Sequence, residues 1–329
     1  MATVVGAFNM VHTPFCYIPP ERWNDIRGQR RLRDDVPQDG TSAEEKSQRI
    51  QAAFATLREK VAECKPDVIV IFGDDQREYL DFYAYPQLAI YADEDFRGAT
   101  SGDDLRRYLS PADRREAPRR TVKGHPQLAG ALLGGLQQRG FDPAFCLKDE
   151  KTPEVGHAFM RPAESVTDLD IPIVPVMTNV YFAPQLTGRR CYQLGRAIRE
   201  VIDEYPNDLR VAVLGSGGLW HTPGAKEAYL DEEFDRRSLR FLEDGDACGA
   251  AEFFDAYRVP QDDLSQPLHE RSRTATGLPP SSGPQGGTRE FCNWIAAAAV
   301  VDGKPAKVLD YLPIYSSPVG AGFAYWPEV

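Results

Sequence analysis

Excess positive charge, closely spaced cysteines and long apolar runs are all missing from this chain. Lys and Arg number 38 against 49 Asp and Glu in 329 residues, a formal net charge of -11. With no basic surplus to neutralise phosphates, nucleic acid and anionic membrane are poor partners, and a small molecule is the expected one. Six cysteines (Cys16, Cys64, Cys146, Cys191, Cys248, Cys292) are scattered without CxxC spacing, and no charged-then-apolar pattern opens the sequence. Both points lead to the expectation of a reduced, cytoplasmic protein. The richest apolar stretch, 295–301, is mostly alanine and far too short to span a bilayer. No internal repeat, low-complexity tract or interdomain linker stands out. A hydrophobic content of 42% is enough to fill a core, so residues 1–329 are expected as one domain with loop insertions.

The periodicities alternate between strand and helix. Thr3 to Phe8 reads as a first strand running into Asn9-Met10-Val11-His12-Thr13-Pro14. Ser42 and Glu45 make a capping box, after which Ile50, Ala53, Phe54, Leu57 and Val61 share a helical face. Val68-Ile69-Val70-Ile71-Phe72 is a buried strand ending in the acidic turn Gly73-Asp74-Asp75-Gln76-Arg77-Glu78, and residues 87–91 suggest another. Residues 29–40 and 93–120 are charged and read as surface. Pro126 opens a helix carrying Leu128, Leu132, Leu133 and Leu136, which Gly140 stops. His157 is expected in a loop before a strand over 171–181. A helix over roughly 185–204 precedes Val211-Ala212-Val213-Leu214 and the turn Gly215-Ser216-Gly217-Gly218-Leu219-Trp220-His221. Beyond it come an acidic, solvated helix within 226–246, a helix with Thr288 as N-cap and Glu290 in its first turn, a strand over 307–316, and a glycine- and aromatic-containing tail. Strand-helix alternation of this kind implies an α/β fold, a largely parallel central sheet flanked by helices.

Functional side chains in such sheets gather at the carboxyl ends of the strands. Of only five histidines, His12 and His221 follow expected strands, His157 lies between elements, and His125 and His269 have blander settings. Histidine and carboxylate at successive strand ends is the composition of a mononuclear metal site with positions open for substrate and oxygen.

The order and wording of six pieces resemble the LigB-type, class III extradiol ring-cleavage dioxygenases: Asn9 to Pro14, Phe72 to Gln76, His125-Pro126-Gln127-Leu128-Ala129, Val155-Gly156-His157-Ala158-Phe159, Gly215 to His221, and Arg289-Glu290-Phe291-Cys292-Asn293-Trp294. The resemblance implies a non-haem iron dioxygenase that opens the ring of a catechol- or gallate-type aromatic acid with O2, its Fe(II) held by two histidines and a glutamate. Carried over, His12 matches the first histidine ligand, Glu290 the glutamate and His221 the acid/base, while His157 matches a histidine motif near the substrate.

The family's second histidine ligand is absent after the second strand. Asp75 or Gln76 is the expected replacement, with Asp75 preferred because a second carboxylate would balance a divalent cation. The substitution hardens the site and admits a divalent metal other than iron. The Val68 strand is expected beside the His12 strand, bringing this turn within reach. Two further readings stay open: a metal-dependent hydrolase or decarboxylase of an aromatic compound, and a binding protein whose metal site has decayed. A homo-oligomer is left open.

Overall fold

The computed structural model describes residues 1–24, 32–100, 119–148, 154–167, 169–222, 227–258 and 281–329. His269, and the parts of the charged stretches at 29–31, 101–118 and 226, lie outside them.

The apolar runs form an eight-stranded sheet. Its strands are β1 (Thr3–Met10), β2 (Val68–Gly73), β3 (Leu88–Tyr91), β6 (Ala144–Cys146), β7 (Ile173–Thr178), β8 (Arg210–Ser216), β9 (Lys307–Ile314) and β10 (Val319–Tyr325), while β4 (Asp95–Ala99) and β5 (Arg119–Lys123) make a separate antiparallel hairpin. The order is β6-β3-β7-β2-β8-β1-β10-β9. The four central strands β7, β2, β8 and β1 are mutually parallel, and antiparallel joins appear only where β3 meets β7 and where β10 meets β1 and β9. β2 and β7 are buried along their whole length, as strands covered on both faces must be.

Helices α1 (Ala43–Cys64) and α3 (His157–Thr167) cover one face. Helices α2 (Pro126–Gln138), α4 (Gly188–Glu204), α5 (Glu232–Glu243), α6 (Ala247–Ala256) and α7 (Phe291–Val300) pack on the other. Their starts follow local chemistry: Ser42 accepts from the Glu45 amide, and the imidazole of His125 accepts from the Leu128 amide behind Pro126. No described helix is long and apolar enough to cross a membrane.

Several elements depart from the sequence reading. β2 is not beside β1; β8 lies between them, and the glycine turn that follows β8 therefore sits at the middle of the strand-end crevice. His157 opens a helix rather than a loop, since Pro162 is accommodated inside α3. The tail is strand β10, and a Cβ on Gly320 or Gly322 would run into Asp235 or Leu219. In the charged region around 93–120, Phe96 and Val122 face inward from the β4–β5 hairpin.

Candidate metal centre and active site

The centre forms where three neighbouring parallel strands end. Met10 pairs with Ser216 and Phe72 with Gly215, so His12, the Gly217-Gly218 turn and Asp74 all leave the sheet at one edge. The 3-10 turn Gly286–Glu290 and α7 close it from the side. Asn293 donates to the Ser216 carbonyl at 3.0 Å and the Trp294 indole to the Gly217 carbonyl at 2.9 Å, pinning the start of α7 over the end of β8. Gly217 and Gly218 take φ of +113° and +41°, and a Cβ on Gly217 would lie 2.5 Å from Glu290 Oε2. The bare turn lets the Gly218 amide donate to that oxygen at 2.8 Å.

Buried His12, Asp74 and Glu290 each present one ligand atom, and these atoms lie within 4.8 Å of one another. His12 Nε2 is 3.6 Å from Glu290 Oε2. The Gln76 amide nitrogen donates to Asp74 Oδ2 at 3.0 Å and to Glu290 Oε1 at 3.2 Å, while buried Asp74 Oδ1 has no hydrogen-bond partner. Burial and the charge of Glu290 push the Asp74 carboxyl well above the usual carboxylate range. Burial alone would raise Glu290 as well, but His221 and the Gly218 amide hold it below its ordinary value. Two carboxylates this close, one with an oxygen left bare, form a site short of positive charge. Burial lowers His12 to about 3 against the opposing pull of Glu290, so at neutral pH the imidazole is uncharged, the form that binds a metal. One imidazole nitrogen and two carboxylate oxygens suit a divalent first-row cation.

Two more histidines flank this group. His221 donates from Nδ1 to the Leu219 carbonyl at 3.1 Å and brings Nε2 to 3.4 Å from Glu290 Oε1. Thr288, expected as a helix cap, instead holds the backbone of His221: its hydroxyl accepts the His221 amide at 3.0 Å and its own amide donates to the His221 carbonyl at 2.9 Å. His157 packs edge-on against His12 with ring centroids 4.8 Å apart, and its Nδ1 donates to Glu78 Oε1 at 2.7 Å. Burial by itself would lower His157, but the charge and hydrogen bond of Glu78 raise it to about 9, and Glu78 is drawn down to about 2 despite its own burial. The pair is thus an imidazolium–carboxylate couple at neutral pH. It lines a cavity of about 310 Å³ together with Thr100, Val155 and Arg161.

The structure does not bring Asp75 into the group. Its Oδ1 accepts the Tyr79 amide at 2.8 Å, and its Oδ2 the amides of Arg77 at 2.9 Å and Leu80 at 3.1 Å, so both oxygens are spent on holding the turn after β2. Gln76 meets the cluster through its nitrogen, which a cation would not bind. Asp74 lies in the turn expected to supply the third ligand but was passed over for Asp75, and Glu78 was given no role. The signal for Asp75 as a turn cap was there, an Asp followed by polar turn residues.

Fold and site together define the class, an α/β protein with a candidate mononuclear metal centre at the carboxyl ends of its parallel strands. The chain belongs to the family described as the catalytic LigB subunit of aromatic ring-opening dioxygenase, whose model matches residues 36–323. His12 lies ahead of that match. Gallate dioxygenase of Pseudomonas putida is 33% identical over 126 residues, 37% of this chain and 36% of that one. The 2,3-dihydroxyphenylpropionate/2,3-dihydroxicinnamic acid 1,2-dioxygenases of Photorhabdus laumondii and Escherichia coli K12 are 27% and 29% identical over 187 and 191 residues, 56% of this chain and 52% and 53% of theirs. The chain thus spans between about a third and about half the length of these curated relatives. An uncharacterized protein of Escherichia coli K12, solved by crystallography, superposes on 98% of this chain and 99% of its own at 14% identity and a TM-score of 0.46.

Proposed function

We propose that this protein is an extradiol-type ring-cleaving dioxygenase acting with O2 on a dihydroxylated, catechol- or gallate-type aromatic acid in the cytoplasm, with Fe(II) held by His12, Asp74 and Glu290. The observation that carries the metal site is the buried cluster of His12, Asp74 and Glu290, whose ligand atoms lie within 4.8 Å of one another while Asp74 Oδ1 has no hydrogen-bond partner; family membership supplies the reaction class. Two carboxylates and a neutral histidine carry a formal charge of -2, which a divalent cation cancels. Bound there, Fe(II) supplies Lewis acidity and open positions for the substrate hydroxyls and oxygen.

The other residues act on substrate and protons. Gln76 holds Asp74 Oδ2 and Glu290 Oε1 on one nitrogen and so leaves Asp74 Oδ1 without a hydrogen bond. His221 is the acid/base: its Nδ1 is committed to a carbonyl, and Nε2 is the atom that takes a proton from a ring hydroxyl and returns it to the product. Charged His157, fixed by Glu78 beside the cavity, attracts the anionic aromatic acid. A hydrolase or decarboxylase reading of the same residues predicts turnover without oxygen.

Oxygen consumption in the presence of gallate and of 3,4-dihydroxybenzoate, with protein loaded anaerobically with Fe(II), tests the proposal. Substrate-dependent oxygen uptake with a yellow ring-opened product is expected. Equal turnover of the same acids without oxygen would rule it out.

A further inference from the structure

The histidine that faces the metal site is held from behind by an unusual chain of groups. Pro162 sits inside α3 and has no amide hydrogen, so the carbonyl four residues earlier, that of Ala158, lacks its helical donor. The hydroxyl of Ser216, at the end of β8, donates to that carbonyl at 2.5 Å. The same oxygen lies 2.8 Å from His12 Nδ1. A serine hydroxyl has one hydrogen, and a carbonyl can only accept. The Ser216 hydrogen is therefore committed to Ala158, and only lone pairs face the imidazole. Nδ1 must carry the hydrogen of His12, which leaves the Nε2 lone pair directed at the space shared with Glu290 Oε2, 3.6 Å away.

We propose that Ser216 is a positioning residue for the metal ligand His12: the carbonyl that Pro162 leaves without its helical donor fixes the Ser216 hydroxyl, and the hydroxyl fixes the imidazole as its Nδ1–H tautomer. The segment after β1, the end of β8 and α3 meet at this one hydroxyl, which is fully buried. Partners behind a ligating histidine set its tautomer and ring orientation, and their loss typically lowers metal affinity by about 10- to 100-fold. The proline within α3 removes the backbone amide that a regular helix would aim at this carbonyl, and the Ser216 hydroxyl donates there.

The inference rests on the reading of His12 as a metal ligand, and its test separates the two. Full-length protein labelled with 15N-histidine reports the tautomer of His12 in long-range 1H–15N spectra of the metal-free form, and titration calorimetry with Mn(II), and with Fe(II) under nitrogen, reports affinity. Wild type is expected as the Nδ1–H tautomer. Ser216→Ala should show mixed tautomers and bind both metals about 10- to 100-fold more weakly, and Ser216→Cys should shift the tautomer in the same direction. An unchanged His12 spectrum and affinity in Ser216→Ala overturn the proposal; if that variant does not fold, an unchanged spectrum in Ser216→Cys, whose thiol is a far weaker donor, overturns it. His12→Ala binding metal as tightly as wild type would instead overturn the metal-site reading on which it rests.

Discussion

Replacing Asp74 by Asn separates its charge from its shape. The variant keeps an oxygen for the Gln76 amide that now donates to Oδ2 and puts an NH2 where the partnerless Oδ1 stands. Ligand atoms on Asp74 and Glu290 lie no more than 4.8 Å apart. At an effective dielectric of about 20, two full charges at that separation repel by about 3 kcal/mol. Protonation of Asp74, favoured by burial and by Glu290, relieves part of this. Asp74→Asn is therefore expected to raise the stability of the metal-free protein by about 1–3 kcal/mol in urea unfolding, and to weaken Mn(II) or Fe(II) binding by more than the roughly 100-fold that loss of a supporting residue causes. Opposite signs for the two quantities distinguish a metal ligand from a structural carboxylate. A variant that is less stable without metal, or that binds metal as wild type does, would refute the reasoning.

Asp75→Ala should behave in the reverse way, losing ~2–4 kcal/mol of stability because three backbone amides lose their acceptor, while the folded protein binds metal with unchanged affinity in calorimetry. His221→Ala is expected to retain metal and fold but to lose turnover by about 10²–10⁴-fold; loss of metal at unchanged fold would reassign His221 as a ligand. Gly287→Ala drives a Cβ into His221 Nε2, so steady-state assays should show a fall in kcat with metal content preserved. Because burial and Glu290 hold the Asp74 carboxyl above its ordinary range, a cation must displace a proton; metal affinity should rise with pH through and above the usual carboxylate range, and calorimetry in buffers of different ionisation enthalpy should register proton release.

What the sequence could convey depended on how local the signal was. Continuous apolar runs and side-chain caps are local, so β2, β8, α1 from Ser42 and α2 from Pro126 were legible. β10 was not, because Val319–Tyr325 alternates glycine with apolar residues and gains its strand character from two paired neighbours. The helix at His157 was hidden by Pro162, whose lost backbone bond is compensated by a serine some fifty residues away. At the site, the histidines and Glu290 stood out by residue type, but the choice between Asp74 and Asp75 turns on which way consecutive residues face as a strand becomes a turn. β2 is buried on both faces, so its side chains carry no alternation from which that direction could be read. The insertion of β8 between β1 and β2 is likewise a property of the crossovers and left no mark in the composition of either strand.

The central claim, oxygen-dependent ring opening at the His12, Asp74 and Glu290 centre, is tested most directly by turnover of a dihydroxylated aromatic acid under 18O2 with mass analysis of the product. Both atoms of one O2 molecule are expected in the ring-opened acid, in wild type and not in Asp74→Asn. A product carrying oxygen from water alone, or formed at the same rate without O2, would contradict it.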